Sequence, residues 1–341
     1  MAEASELSKI LRTKRDGSRT CVPILGSGLN LQAARLEGNR EDDWAGLLAR
    51  VAHELSLSPR SLDRLPRPHL FRWESMLRLW ARVKEIEPFQ AELQLQKLAC
   101  DYLRSLEAIK SQNSLYREFS NARFNDIISL NFDRRIALSF PRPQFKSGPA
   151  PCPEGSHGET LYRHDLLDHA DGAQTRIWYP HGDTRKWSTL KLGVRKYGFY
   201  VGTISEAKGG HNPGYSDSWR HKRSWDQWDD LRRQTWEQRD GLRDNKLKST
   251  SKRNQKPSRY LDPFLNGAIV FIGCGLSFDE WPLWSLLRIR ATVSGRRPPA
   301  YLVTGGGMLP EQSCALAYHG IEILSYPSFD HMWDDLRSAI A

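Results

Sequence analysis

The sequence predicts an α/β fold in which a doubly wound parallel sheet carries helical insertions. Three observations lead there. Ala268 to Ile272 form an uninterrupted apolar run, and Ile127, Ile128 and Leu130 form a second; short runs of this kind suit strands buried on both faces. Both runs stop at polar or glycine-bearing turns. Strand-like and helix-like segments alternate along the chain, which is the pattern of βα units. Together these predict one Rossmann-like domain over residues 1–341, with a helical layer at 43–121 and a basic, tryptophan-rich insertion at 206–260.

The elements follow in order. Leu7 to Leu11 suit a short helix, and a small apolar strand beginning at Cys21 runs into the turn Gly26-Ser-Gly-Leu-Asn30, with a helix expected from Leu31. Glycine lets a backbone approach a phosphate closely, and a helix N-terminus favours negative charge. An ordinary tight turn has the same composition. From Asp43 to about Asn121 the pattern is helical, interrupted at Pro66 and Pro68. Trp73, Met76, Leu77 and Trp80 recur at helical spacing, as do Leu93, Leu95, Leu98, Leu103 and Leu106, and these stripes read as core rather than as a ligand box.

The run at 127–130 delivers Asn131-Phe-Asp133 to a strand end. An asparagine there can donate and accept, and so hold a water or hydroxyl in one orientation; Asn and Asp also favour plain turns. Pro141 to Gly158 read as a loop. Ile177, Trp178 and Tyr179 then repeat the theme, delivering His181 and Gly182 to a second strand end. A rival pair, His157-Gly158, has no β-prone run before it, so strand-end placement favours His181. Thr189 to Leu192 suit a strand, and Arg195 to Val201 a helix or a further strand.

Within 206–260, Trp219, Trp225, Trp228 and Trp236 are interleaved with arginines and lysines. Such a mixture can bind single-stranded nucleic acid by stacking and charge. It equally describes an amphipathic helix that packs its tryptophans inward. The run Ala268 to Ile272 ends in Gly273-Cys-Gly275, with Ser277 and Asp279 ahead of a helix from Leu283 to Ala291. Pro299 to Thr304 and Ile321 to Leu324 add strands, and Phe329 to Ile340 a closing helix.

Composition narrows the classes. A formal net charge of +10 points to an anionic partner. Five cysteines without a C-x-x-C pair argue against a disulfide framework and a structural zinc module, so no metal is expected. With no signal peptide and no membrane-length apolar run, the expectation is a cytoplasmic protein with no membrane partner.

Taken in order, Gly26-Ser-Gly-Leu-Asn30, Asn131-Phe-Asp133, His181-Gly182 and Gly273-Cys-Gly-Leu-Ser277 resemble the loops of sirtuin-like (silent information regulator-like) NAD-hydrolysing domains of bacterial anti-phage defence effectors. The resemblance spans most of residues 20–290. It implies an NAD+ glycohydrolase that cleaves NAD+ to nicotinamide and ADP-ribose, with NAD+ as substrate and no separate cofactor. It further implies a regulated effector that depletes cellular NAD+ (abortive infection), held in an oligomer or hetero-complex until a partner protein or nucleotide signal activates it. The paired cysteines of zinc-bearing sirtuin deacylases are missing, which leaves NAD-dependent protein deacylation as a weaker alternative.

On this resemblance Asn131 orients the water or the ribose hydroxyls, and Asp133 braces the loop or the ribose. His181 removes a proton, a task that suits a side chain titrating near neutrality. Gly26, Ser27 and Gly28 cradle the pyrophosphate, with Asn30 at the ribose or phosphate. Gly273, Gly275, Ser277 and Asp279 contact the adenosine side. The reading from another class is a catalytically inactive sirtuin-like module that senses a nucleotide or nucleic acid.

Overall fold

Residues 5–36 (save 13, 16 and 17), 44–58, 69–110, 113–146 (save 142), 163–201 (save 195 and 199), 259–276, 280–292 and 298–340 are described by the structure, a computed structural model. The fold is α/β. Strands β1 (Cys21–Leu25) and β2 (Asp126–Ser129) are buried along their whole length, β1 through its apolar run and β2 with Asp126 paired to Arg176 and Trp178. After β3 (Gln144–Lys146), β4 (His164–Asp168) and β5 (Gln174–Trp178) come the apolar β6 (Ala268–Ile272), then β7 (Ala300–Thr304) and β8 (Ile321–Ser325). All eight form one sheet in the order β8-β7-β6-β1-β2-β5-β4-β3, parallel from β8 to β5 and antiparallel over β4 and β3.

The six parallel strands, counted along the chain, stand in the order 3-2-1-4-5-6. Their winding reverses between β1 and β6, and in open α/β sheets ligands bind beyond the strands' carboxyl ends at such a point. Register makes that crevice narrow. Leu25 sits opposite Ile272, so the turns that follow β1 and β6 leave the sheet level with each other. The core behind them includes Leu25, Leu29, Ile127, Ile177, Val270 and Ile272.

Helices α1 (Glu6–Arg12) and α2 (Ser27–Leu36) are followed by a helical layer: α3 (Trp44–Glu54), α4 (His69–Val83), α5 (Pro88–Lys110) and α6 (Ser114–Asn121). Trp73, Met76 and Leu95 are buried in its own cluster, each worth about 1.5–3 kcal/mol by removal from water. Phe132 and Leu190 join that cluster, so the layer packs directly on the loops after β2 and β5.

Several elements differ from expectation. The helix after β1, α2 (Ser27–Leu36), begins at Ser27 rather than Leu31, so the first glycine turn is the helix's own start. Strand β3 lies inside the segment read as loop. Its three residues are all exposed, and only its pairing with β4 makes it a strand. Thr189 to Leu192 are not a strand: Trp187–Thr189 form a 3-10 turn instead. The reason is Gly182, whose φ of 89° opens a place for the Thr189–Leu190 backbone to lie across it. Lys191 N–H then donates to the His181 carbonyl at 2.9 Å. The described residues of 194–201 are helical. The helix predicted from Leu283 runs over Trp281–Thr292, and Pro310–Tyr318 form a helix that the sequence reading did not contain. The insertion at 206–260, save its last two residues, lies outside the described residues, as does His157.

Gly182→Ala is expected to destabilise the fold by roughly 2 kcal/mol or more, because the new Cβ would stand 2.2 Å from the Thr189 carbonyl oxygen in a backbone conformation that disfavours side chains. Urea midpoints check this; a loss within about 0.5 kcal/mol, as at an ordinary surface site, would contradict it.

Candidate active site

The turns beyond β1, β2 and β6 enclose a cleft of about 770 Å³. Gly26, Ser27, Asn30, Asn131, Asp133, Gly273 and Gly275 all line it; Gly28 does not. The setting, beyond the carboxyl ends of the strands at the switch point, is that of a ligand site. Ser277 and Asp279 lie outside the described residues.

The two glycine turns meet backbone to backbone. Gly26 N–H donates to the Ile272 carbonyl at 3.0 Å, and Gly28 N–H to the Gly273 carbonyl at 2.9 Å. A Cβ on Gly28 would stand 2.7 Å from the Gly273 Cα, so this approach is open only to glycine. The amides of Gly26 and Gly28 are thereby committed within the protein. Ser27, exposed at the first turn of α2, is the member of the trio left open to the cleft.

Asn131 is 8% exposed and holds its neighbours through its amide nitrogen. Nδ2 donates to the Gly26 carbonyl at 3.1 Å and to Asn30 Oδ1 at 3.5 Å. Those bonds use both its donors and fix the amide plane; its Oδ1 accepts nothing from the described residues. Asn30 is the hub of this network: its Nδ2 donates to Asp133 Oδ2 at 2.6 Å, and its Oδ1 accepts from the Tyr116 hydroxyl at 2.9 Å. Asp133 Oδ1 in turn accepts from Arg135 N–H at 3.2 Å, which bends the chain into the helical turn Arg135–Leu138. Asp133 thus ties α2 to the loop after β2.

His181 stands apart. It is 3% exposed and lines a smaller neighbouring cavity with Tyr200, Tyr260 and Phe264, sharing Leu130 and Leu283 with the main cleft. Its Nδ1 lies 3.1 Å from the Leu130 carbonyl, and its Nε2 lies 3.8 Å from Glu280 Oε2. Burial pushes its pKa down to about 4, although the Leu130 carbonyl favours the protonated ring. At neutral pH the imidazole is therefore neutral, with Nδ1–H donating to Leu130 and a lone pair on Nε2.

Functional neighbours that local sequence did not single out come from the helical layer and from the residues just past the motifs. Tyr116 is placed by α6, whose Asn113 caps the helix by accepting from Leu115 N–H and donates to the Ala33 carbonyl of α2. Arg135 reaches the Tyr116 hydroxyl at 3.3 Å, and Glu280 lines the cleft. Glu107 of α5 accepts from Arg134 N–H at 2.6 Å and from the Thr184 hydroxyl at 2.5 Å, tying the β2 and β5 loops to one helix. Burial raises the Glu107 pKa to about 7 against those two bonds.

These two buried groups set opposite pH slopes. His181 has a folded pKa below its ordinary 6.5, so the unfolded chain binds more protons and stability falls as pH drops from 6.5 towards 4. Glu107 has a folded pKa above its ordinary 4.5, so its contribution is present at low pH and is lost as pH rises through about 7. Between 4.5 and 6.5 the two oppose each other. Glu107→Gln is expected to leave stability climbing with pH more steeply than in the wild type, and His181→Asn less steeply. Each total swing is on the order of 3 kcal/mol. Urea midpoints against pH check this; superimposable profiles for the two variants would refute it.

Among the described residues no cluster of His, Cys, Asp and Glu is arranged to hold a metal ion, and no helix is long and apolar enough to cross a membrane. The chain matches no family model, and a search of curated proteins finds no match to it.

Proposed function

We propose that the cleft binds NAD+ and hydrolyses its nicotinamide–ribose bond, giving nicotinamide and ADP-ribose. The observation that carries this reading is the fixed amide of Asn131 at the switch-point crevice, with both donors used and its Oδ1 left as acceptor. Breaking this bond builds positive charge on the ribose, and the pyridinium leaves without an acid. What remains for the protein is to hold the ribose, orient a water and accept a proton. An immobilised acceptor suits the second task, because a water donating to Asn131 Oδ1 has its lone pair turned elsewhere. Ser27 at the helix start suits the pyrophosphate. Proton acceptance falls to the wall the cleft shares with the neighbouring cavity that His181 lines. The resemblance of the four loops extends the reading to a cytoplasmic defence effector, switched on by a partner protein or nucleotide signal within an oligomer or hetero-complex.

A second reading is a nucleotide-binding sensor without catalysis. It is favoured by the placement of His181 in the neighbouring cavity, and by the commitment of the Gly26 and Gly28 amides. Incubation of the purified chain with NAD+, alone and with candidate nucleotide or protein triggers added, followed chromatographically for nicotinamide, separates the two. Nicotinamide release supports hydrolysis; NAD+ binding without release selects the sensor; absence of both overturns both.

A further inference from the structure

Besides the phenol of Tyr102, the cleft is lined by one thiol and three charged side chains. Asp133 has its oxygens engaged by Asn30 Nδ2 at 2.6 Å and Arg135 N–H at 3.2 Å, with the Arg135 guanidinium 3.8 Å away. Cys274 donates its thiol to the Ile24 carbonyl at 3.3 Å, and burial pushes its pKa up, so it stays a thiol. Arg135 is a cation and accepts no proton. His181 lines the neighbouring cavity. Glu280 remains. It lines the cleft, its side chain is 25% exposed, and its Oε2 lies 3.8 Å from His181 Nε2. It thus spans the distance between the cleft and the histidine.

We propose that Glu280 takes the proton from the attacking water, with His181 as the positioning residue behind it. The inference rests on the reading of the cleft as an NAD+-hydrolysing site. In the step, the bond between ribose C1′ and the nicotinamide nitrogen breaks, and its electron pair passes to that nitrogen, leaving neutral nicotinamide. The water oxygen bonds to C1′, and the water proton passes to the Glu280 carboxylate. No oxidant, reductant or further reactant enters. His181 helps through its tautomer. With Nδ1–H held by the Leu130 carbonyl, Nε2 offers only a lone pair. An ionised Glu280 has no proton to share with it, whereas a protonated Glu280, once the 3.8 Å separation closes by about 1 Å, donates its O–H to it. The arrangement therefore favours proton uptake at Glu280 as the water is consumed.

The test uses the full chain, alone and with candidate nucleotide or protein triggers added, and 1,N6-etheno-NAD+, whose fluorescence rises on cleavage. Glu280→Ala is expected to lower kcat roughly 10²- to 10⁴-fold with little change in KM. Formate, a small carboxylate, should restore part of that rate in Glu280→Ala and none in Asn131→Ala. Glu280→Gln, which keeps the side chain's shape, should be folded by circular dichroism and slow. His181→Asn should lower kcat less than Glu280→Ala does, again without raising KM. A wild type that releases no nicotinamide overturns the hydrolytic reading and this inference together. A wild type that cleaves while Glu280→Ala and Glu280→Gln cleave equally well overturns the inference alone. So does a loss confined to KM without rescue by formate.

Discussion

Asn131→Ala is expected to lower NAD+ cleavage roughly 10²- to 10³-fold, the usual consequence of removing one preorganised hydrogen-bonding group from a reaction centre. The loss should fall on kcat. Asn131 Oδ1 is the acceptor proposed to orient the water, and neither Ser27 nor the glycine turns can replace it. The substitution also withdraws a donor from the Gly26 carbonyl, but that oxygen still accepts from Leu29 N–H at 3.1 Å. Its structural cost should therefore sit at the low end of about 1–3 kcal/mol, and the variant should remain folded. Asn131→Asp is the sharper control. It keeps the size but turns the donor facing the Gly26 carbonyl into an acceptor. A folded Asn131→Ala protein that cleaves NAD+ at the wild-type rate would remove Asn131 from the mechanism.

The largest effect on stability is expected at Asp165, which is fully buried under the antiparallel edge of the sheet. Its carboxylate accepts from Arg134 Nε at 3.0 Å and Nη2 at 2.9 Å, from Arg185 Nη1 at 2.7 Å, and from the Tyr179 hydroxyl at 2.8 Å. Arg185 and Arg163 also bind Asp183, a second fully buried carboxylate, whose pKa they hold down to about 2 against the cost of burial. Removing one member of such a network strands the others away from water. Asp165→Asn should cost on the order of 3–5 kcal/mol, because one of its oxygens becomes an NH2 group that faces donors. Urea denaturation is the measurement, with the slope unchanged if the unfolded state is unaffected. A loss below about 1 kcal/mol would mean that the ion network carries little.

The parts of the fold that the sequence made legible are those where one local rule decides. β1, β2 and β6 lie in the middle of the sheet, so burial on both faces leaves continuous apolar runs, and each run ends where the chain must turn at the ligand edge. The hairpin β3–β4 was not legible, because Gln144–Lys146 are wholly exposed and His164–Asp168 mix buried and open residues. Pairing alone makes them strands. Thr189 to Leu192 have strand-like composition, yet the space over Gly182 folds them into a turn.

The site divides in the same way. Gly26, Asn131 and Gly273 announce themselves by their position at strand ends. Tyr116 and Glu107 arrive from helices, and their sequence neighbourhoods look like ordinary amphipathic surface and core. Tyr116 meets Asn30 across 86 residues, and Glu107 meets Thr184 across 77. No window of sequence contains either pairing, since each exists only once the helical layer has docked.

The meeting of the two glycine turns gives the cleft one side that cannot breathe. Gly26 and Gly28 are stitched by main-chain bonds to Ile272 and Gly273, and no side-chain rotation can lengthen them. Across the opening stand Leu47, Tyr102, Leu103 and Leu106, side chains borne on α3 and α5. One jaw of this vice is backbone and the other is side chain, so rotation of side chains can widen the opening on the helical side alone.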